Sequence, residues 1–139
     1  MEIRTFTPPD TDAVVALWER CGLVRPWNDP RKDIERKGAV QPELFLVGEL
    51  DEAIVASCMA GYDGHRGWIY YFAVDPERHG RGLGSALLGH AESLLTAMGC
   101  PKVQLQVRPE NRGVLDFYRS NGYEPYDSES AGKRLIVDS

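Results

Sequence analysis

Residues 68–98 constrain this chain more tightly than any other stretch. They open with the apolar and aromatic run W-I-Y-Y-F-A-V, built from residue types that favour strands. Asp75-Pro76 closes the run, because proline cannot continue a central strand ladder. Further on, Leu83, Leu87, Ala91, Leu94, Leu95 and Met98 recur at three-to-four spacing, which predicts a helix with one buried face. A strand therefore feeds a helix through a short loop carrying glycines at 80, 82 and 84.

So many glycines in one loop raise the entropic cost of folding. They suit a place where a ligand touches bare backbone, or a tight turn whose geometry demands them. The loop opens into a helix N-terminus, where unpaired amides and the helix dipole favour an anion. Arg78, His79 and Arg81 add basic character. The expectation is a phosphate or pyrophosphate site over residues 80–85. A dinucleotide fingerprint is nearly met, but Ser85 stands in place of its third glycine and no acidic residue follows at the required distance. The Gly-Lys-Ser/Thr of a nucleotide-binding P-loop is absent.

The chain has 139 residues, which suggests one domain spanning 1–139. With 42% hydrophobic residues it can build an ordinary core. A net charge of −5 argues against non-specific nucleic-acid binding, where a basic surface supplies the affinity. No charged segment precedes an apolar run at the start, and no apolar stretch is long enough to span a bilayer, so neither secretion nor a membrane partner is expected. Cys21, Cys58 and Cys100 are too scattered for a metal site or a disulfide framework. They read as small hydrophobes in a reducing cytoplasm, and no metal is expected.

Residues 1–6 alternate as a first strand. A helix follows, capped by Asp10 or Thr11, with Val14, Leu17, Trp18 and Cys21 on its apolar face and Gly22 at its end. In the next segment, L-V-R-P-W-N-D-P, Asn28 or Asp29 can cap a second short helix with Pro30 in its first turn. Two readings of this segment are open. It is an acceptor-facing loop, with Trp27 as a wall, Asn28 beside it and Asp29 receiving an ammonium. Or it is a proline-stiffened connector with Trp27 packed inward, which the capping habits of these residue types favour. Residues 44–50 and 53–60 are strands joined by a hairpin without the favoured Asn-Gly or Asp-Gly pair. The turn G-Y-D-G-H-R-G holds Asp63 and His65, either to act on a substrate or, on the plainer reading, to make the turn. Beyond the glycine loop and its helix, residues 102–108 alternate as a strand, residues 111–118 form a helix, and residues 123–126 and 133–137 read as two last strands. The expected fold is α/β, a mixed central sheet of about seven strands with about four helices, parallel where helices follow the fourth and fifth strands.

Two motifs carry a resemblance. His79-Gly80-Arg81-Gly82-Leu83-Gly84 is similar to the Gln/Arg-x-x-Gly-x-Gly/Ala coenzyme-A signature of the GCN5-related N-acetyltransferases (the GNAT superfamily), with His79 in place of the usual Gln or Arg. N-R-G-V-L-D-F-Y-R-S-N-G-Y matches a second family pattern through Asn111, Phe117, Tyr118, Gly122 and Tyr123. The likeness extends to L-V-R-P-W-N-D-P, D-I-E-R-K, G-Y-D-G-H-R-G and G-K-R-L-I, and so covers most of the chain.

The resemblance implies an enzyme that moves the acetyl group of acetyl-CoA to a primary amine, on a small molecule, a lysine or a peptide N-terminus. It implies His79, Gly80, Arg81, Gly82, Leu83, Gly84 and Ser85 at the coenzyme's pyrophosphate. Backbone groups of Phe72, Ala73 and Val74 would pair with pantetheine like an added strand, with Asn111 beside them. It also gives Tyr118 the role of general acid, and a phenol with an ordinary pKa of about 10 is protonated at neutral pH. Some relatives carry a glutamate base where this chain has Gln106, which leaves the base open among Asp63, His65 and Glu110. The rival expectation is a silent acyl-CoA-binding regulatory module. The sequence leaves the oligomeric state open, a homodimer included.

Overall fold

A computed structural model describes residues 1–138. Its elements run β1 (Glu2–Thr5), α1 (Thr11–Arg20), α2 (Pro30–Gly38), β2 (Phe45–Leu50), β3 (Ala53–Tyr62), β4 (Gly67–Val74), α3 (Leu83–Ala97), β5 (Val103–Gln104) and α4 (Arg112–Ser120). The strands form one sheet in sequence order, antiparallel from β1 to β4 and parallel between β4 and β5. The α/β class and four helices agree with the sequence expectation.

Helices cover both faces of the sheet. On one face Val14, Leu17 and Trp18 of α1 and Ile34 of α2 pack on Phe45, Val47, Met59 and Ala73. On the other, Leu87, Leu88, Ala91 and Leu95 of α3 and Tyr118 of α4 pack on Leu46, Ala56, Cys58, Ala60 and Ile69. Alternate residues of β2 and β3 thus enter opposite layers, as strand pleating requires. Each fully buried Leu in these layers stabilises the fold by about 1.5–3 kcal/mol relative to exposure. α2 starts where its sequence dictates: the Asp29 carboxylate accepts from the Arg31 and Lys32 amides, and Pro30 occupies the first turn.

The sheet has five strands, not about seven. The strand expected over 102–108 pairs only at Val103 and Gln104. Residues 123–126 form no strand, and Pro125 has no amide to give a ladder. Instead the chain returns past β5 through side chains: Gln104 Nε2 donates to the Tyr126 hydroxyl and Gln106 Nε2 to Ser130 Oγ, both at 2.8 Å. Residues 133–137 form no strand either. Leu135, Ile136 and Val137 stay 86%, 67% and 76% exposed, so their apolar pattern has no face to bury against.

One irregularity in β4 sets the shape of everything near it. Its pairing with β3 runs Gly61↔Trp68, Ala60↔Ile69 and Met59↔Tyr70, then resumes at Ser57↔Ala73 and Ala56↔Val74. Cys58 therefore stands opposite two residues, Tyr71 and Phe72, which is a β-bulge. Tyr71 has φ +48°, a left-handed backbone rare for a bulky side chain.

The β2–β3 hairpin turns through Asp51 and Glu52, with φ +53° and +65°. Two successive left-handed residues make the turn whose twist suits a hairpin, here without glycine. Glu52→Gly is expected to raise stability by about 0.5–1 kcal/mol by relieving that strain. Urea unfolding of the two proteins checks this.

Candidate active site

The loop from β4 to α3 is ordered by its own polar groups. Asp75 Oδ1 accepts from the Glu77 amide at 3.1 Å, and the His79 ring Nε2 lies 3.2 Å from the Val74 carbonyl as donor. Gly80 and Gly82 have φ +80° and +75°, and a Cβ at either would meet nothing within 4 Å. Their backbone conformation, not crowding, selects glycine. Gly84 is different: a Cβ there would lie 3.0 Å from Phe117 Cζ and 3.5 Å from Val74 Cγ2. The third glycine lets α3 approach α4 and β4. α3 begins at Leu83 with no side-chain cap and no acidic residue in its first turn. Its leading amides, at Leu83, Gly84 and Ser85, therefore point outward beside Arg81 without intrahelical partners.

Two structural facts shape the space next to this loop. The parallel pairing of β4 with β5 is confined to Gly67↔Val103 and Trp68↔Gln104. Beyond it β4 continues through Phe72, Ala73 and Val74 paired only with β3, so its other edge is open. A cleft of about 920 Å³ lies between β5, α3, α4 and the chain after α4, lined by Gln106, Arg108, Asn111, Tyr118 and Tyr123 among others.

Tyr118 sits on α4, 5% exposed, with its ring 5.9 Å from Phe72, 5.3 Å from Phe117 and 5.7 Å from Tyr123. Among the described residues its hydroxyl has no hydrogen-bond partner, and its side chain lines the cleft. Burial, with a smaller contribution from Cys58, pushes its pKa above the ordinary phenol value, so it stays protonated. Asn111 precedes α4 without capping it and also lines the cleft. Phe72, Asn111 and Tyr118 are thus brought together, and the glycine loop adjoins them through the contact of Phe117 with Gly84.

The residues expected at the acceptor are dispersed. Trp27 is 56% exposed rather than packed inward, with the Arg108 guanidinium 6.0 Å from its ring centroid. Asn28 Oδ1 accepts from Arg134, and Asp29 caps α2. The Asp29 amide donates to Asp138 Oδ2 at 3.0 Å, and Arg36 and Arg134 also hold that carboxylate. These charges keep Asp138 well below the usual carboxylate range, with Arg36 the largest cause. The last residues described therefore lie against the 27–29 segment. Asp63 is placed elsewhere, in the β3–β4 turn, where it accepts from the His65 and Arg66 amides and from Trp68 Nε1. The length of β4, roughly 25 Å at strand rise, separates it from the glycine loop. Gln106 donates to Ser130, as described above, and offers no base.

Sequence reasoning missed a polar group beneath the site. Trp18 Nε1 donates to Ser57 Oγ at 2.8 Å, Ser57 Oγ donates to the Tyr71 carbonyl at 3.0 Å, and the Tyr71 hydroxyl donates to Asp33 Oδ2 at 2.6 Å. The one available signal was a lone serine in the apolar run A-I-V-A-S-C-M-A.

A mixed sheet that parts between its two parallel strands, with a glycine loop and a buried tyrosine near the parting, makes this an α/β domain. The pattern of the acetyltransferase (GNAT) family matches residues 10–123, and the chain belongs to that family. An acetyltransferase of Pectobacterium atrosepticum is 53% identical over 138 residues, covering 99% of this chain and 98% of the relative. One of Yersinia enterocolitica is equally similar, at 53% identity with the same coverage. Among solved structures, Ard1 of Thermoplasma volcanium superposes with a TM-score of 0.76 at 27% identity, over 87% of this chain and 80% of that one. Among the described residues no helix is long and apolar enough to cross a membrane.

The glycines make separable predictions. Gly82→Ala has room but keeps a left-handed backbone, and is expected to cost about 1 kcal/mol. Gly84→Val must displace the Phe117 ring, and is expected to cost about 1–3 kcal/mol. Urea unfolding of both variants checks the order, and a smaller loss for Gly84→Val would contradict the packing role.

Proposed function

We propose that this chain is an N-acetyltransferase that moves the acetyl group of acetyl-CoA to a primary amine, with Tyr118 as general acid. The observation that carries the reading is Tyr118 itself: its ring is buried beside Phe72, burial favours its protonated form, and its hydroxyl, without a partner among the described residues, reaches the cleft.

The residues present fit the coenzyme. Gly80 and Gly82 leave open space above the backbone, and α3 begins uncapped with Arg81 beside it. This suits a pyrophosphate held by amides of residues 80–85, with His79 bracing the loop from Val74. The open edge of β4 at Phe72, Ala73 and Val74 suits strand-like pairing with pantetheine, and Asn111 stands free to hydrogen-bond it. Bound acetyl-CoA supplies an activated thioester carbonyl and a thiolate leaving group. An amide of the β4 edge donates to the oxygen on which charge develops, and Tyr118 donates its proton to the departing sulfur.

The acceptor enters between Trp27 and the cleft as the free amine. The Asp63 carboxylate is spent on its own turn and His65 shares that remote turn, which leaves Glu110 to pass a proton to water. All three cysteines are free, which suits a reducing cytoplasm.

Release of CoA thiol over a panel of amines tests the reading. Tyr118→Phe is expected to lower turnover by about 10²–10⁴-fold while acetyl-CoA affinity holds. Affinity without turnover for any amine, in wild type as in the variant, would instead identify a silent acyl-CoA-binding module. The pH profile is a second check. Tyr118 titrates above an ordinary phenol, so the rate rises as the amine loses its proton and does not fall again below about pH 10.

A further inference from the structure

The bulge at Tyr71 resets the pleat of β4. In an unbroken strand Ile69 and Tyr71 would share one face and Trp68, Tyr70 and Phe72 the other. Here Ile69, Phe72 and Val74 pack with the α3–α4 layer, whereas Tyr71 and Ala73 pack with the α1–α2 layer. The extra residue is what carries Phe72 across the sheet to Phe117 and Tyr118, at 5.7 and 5.9 Å. It falls where β4 and β5 have already parted.

A left-handed tyrosine inside a strand costs about 1–3 kcal/mol and persists only where its surroundings hold it. Three ties do so. The Tyr71 ring stacks on Trp18 at 3.8 Å and 14°. Its hydroxyl donates to Asp33 Oδ2. Its carbonyl accepts from Ser57 Oγ, which in turn accepts from the Trp18 indole. Ser57 is 0% exposed and, with Lys37, is one of two buried polar residues among those described. A hydroxyl buried in an apolar strand is favourable only when its hydrogen bonds are made. Both bonds of this one converge on the bulge.

We propose that Ser57, steadied by Trp18, is a positioning residue for acyl transfer. It locks the slip of β4 at Tyr71, and so fixes which face Phe72 takes, how Tyr118 is set against it, and where the open edge of β4 lies. The proposal rests on the acetyltransferase reading above for its catalytic part and on the bulge itself for its structural part. The loop at residues 80–85 lies outside this network, so coenzyme affinity and turnover should respond differently.

The experiment compares wild type, Ser57→Ala, Ser57→Cys and Trp18→Phe, all assayed well below their melting temperatures. Ser57→Ala is expected to lower kcat at least tenfold while the Kd for CoA changes less than threefold. Ser57→Cys, a weaker donor of similar size, should recover part of that loss. Trp18→Phe keeps the stacking and leaves Ser57 free to donate, so its loss should be smaller than that of Ser57→Ala. Effects of Ser57→Ala and Tyr118→Phe should be less than additive, because one acts through the other. Amide hydrogen exchange gives a readout independent of activity: exchange at residues 71–73 should quicken at least tenfold in Ser57→Ala, with β1 and β2 unchanged. The proposal is overturned if Ser57→Ala leaves kcat and exchange at 71–73 as in wild type, or if it lowers thermal stability alone. If wild type turns over no amine, the acetyltransferase reading fails by itself, and the exchange data still decide whether Ser57 holds the bulge.

Discussion

The hydrogen bond from Ser57 to the Tyr71 carbonyl joins one backbone atom to a buried hydroxyl, yet the layout on both sides of the sheet follows from the conformation it holds. A strand that kept its period would send Phe72 toward α1 and turn Tyr71 toward Phe117 and Tyr118. With the bulge in place, Phe72 takes that position, and the aromatic group Phe72, Phe117, Tyr118 and Tyr123 becomes a continuous wall. Such rings are rigid and bury a large area, so the wall fixes the Tyr118 hydroxyl more firmly than a loop would. The strain of Tyr71 is offset on the other face by its stacking on Trp18 and its bond to Asp33, which belongs to α2. The helix that follows the 27–29 segment is thereby tied to the strand that carries Phe72.

The glycine loop shows how one motif answers to two physical demands. Gly80 and Gly82 supply backbone angles that turn the chain from β4 into α3 and leave its first amides uncovered. Gly84 supplies closeness, because Phe117 occupies the space where its side chain would be. The uncovered start of α3 and the close seat for the aromatic wall behind it are therefore built from alternate residues of the same short stretch. The spacing of the motif carries this information even though each glycine alone is a weak signal.

Much of this arrangement was legible beforehand. The strand, loop and helix of residues 68–98 announced themselves through a change of hydrophobic period, and α2 through Asp29 and Pro30 at its start. Tyr118 and Asn111 were legible only through resemblance, since a tyrosine beside a phenylalanine reads equally as core. What could not be read was the slip. The run W-I-Y-Y-F-A-V is apolar at every position, so it hides which face each residue takes, and a bulge inside it leaves no trace in the pattern. Residues 133–137 misled for the opposite reason. R-L-I-V has the composition of a strand, but Arg134 and Asp138 are drawn to Asn28, Asp29 and Arg36, and that polar clamp sets the path of the tail instead of a ladder.

An open strand edge is a hazard as well as an asset, because unpaired amides invite another chain. Here the edge of β4 beyond Trp68 is open by construction, and β5 cannot follow it. A bulge increases local twist and bends the strand that carries it. The bend at Tyr71 therefore turns the exposed edge away from the flat geometry that a foreign strand needs to dock. A glycine there would remove the strain but also the ring that stacks on Trp18 and the hydroxyl that reaches Asp33. The bulge would then be easier to form and easier to lose, and a tyrosine held from three sides is the arrangement that keeps it in one register.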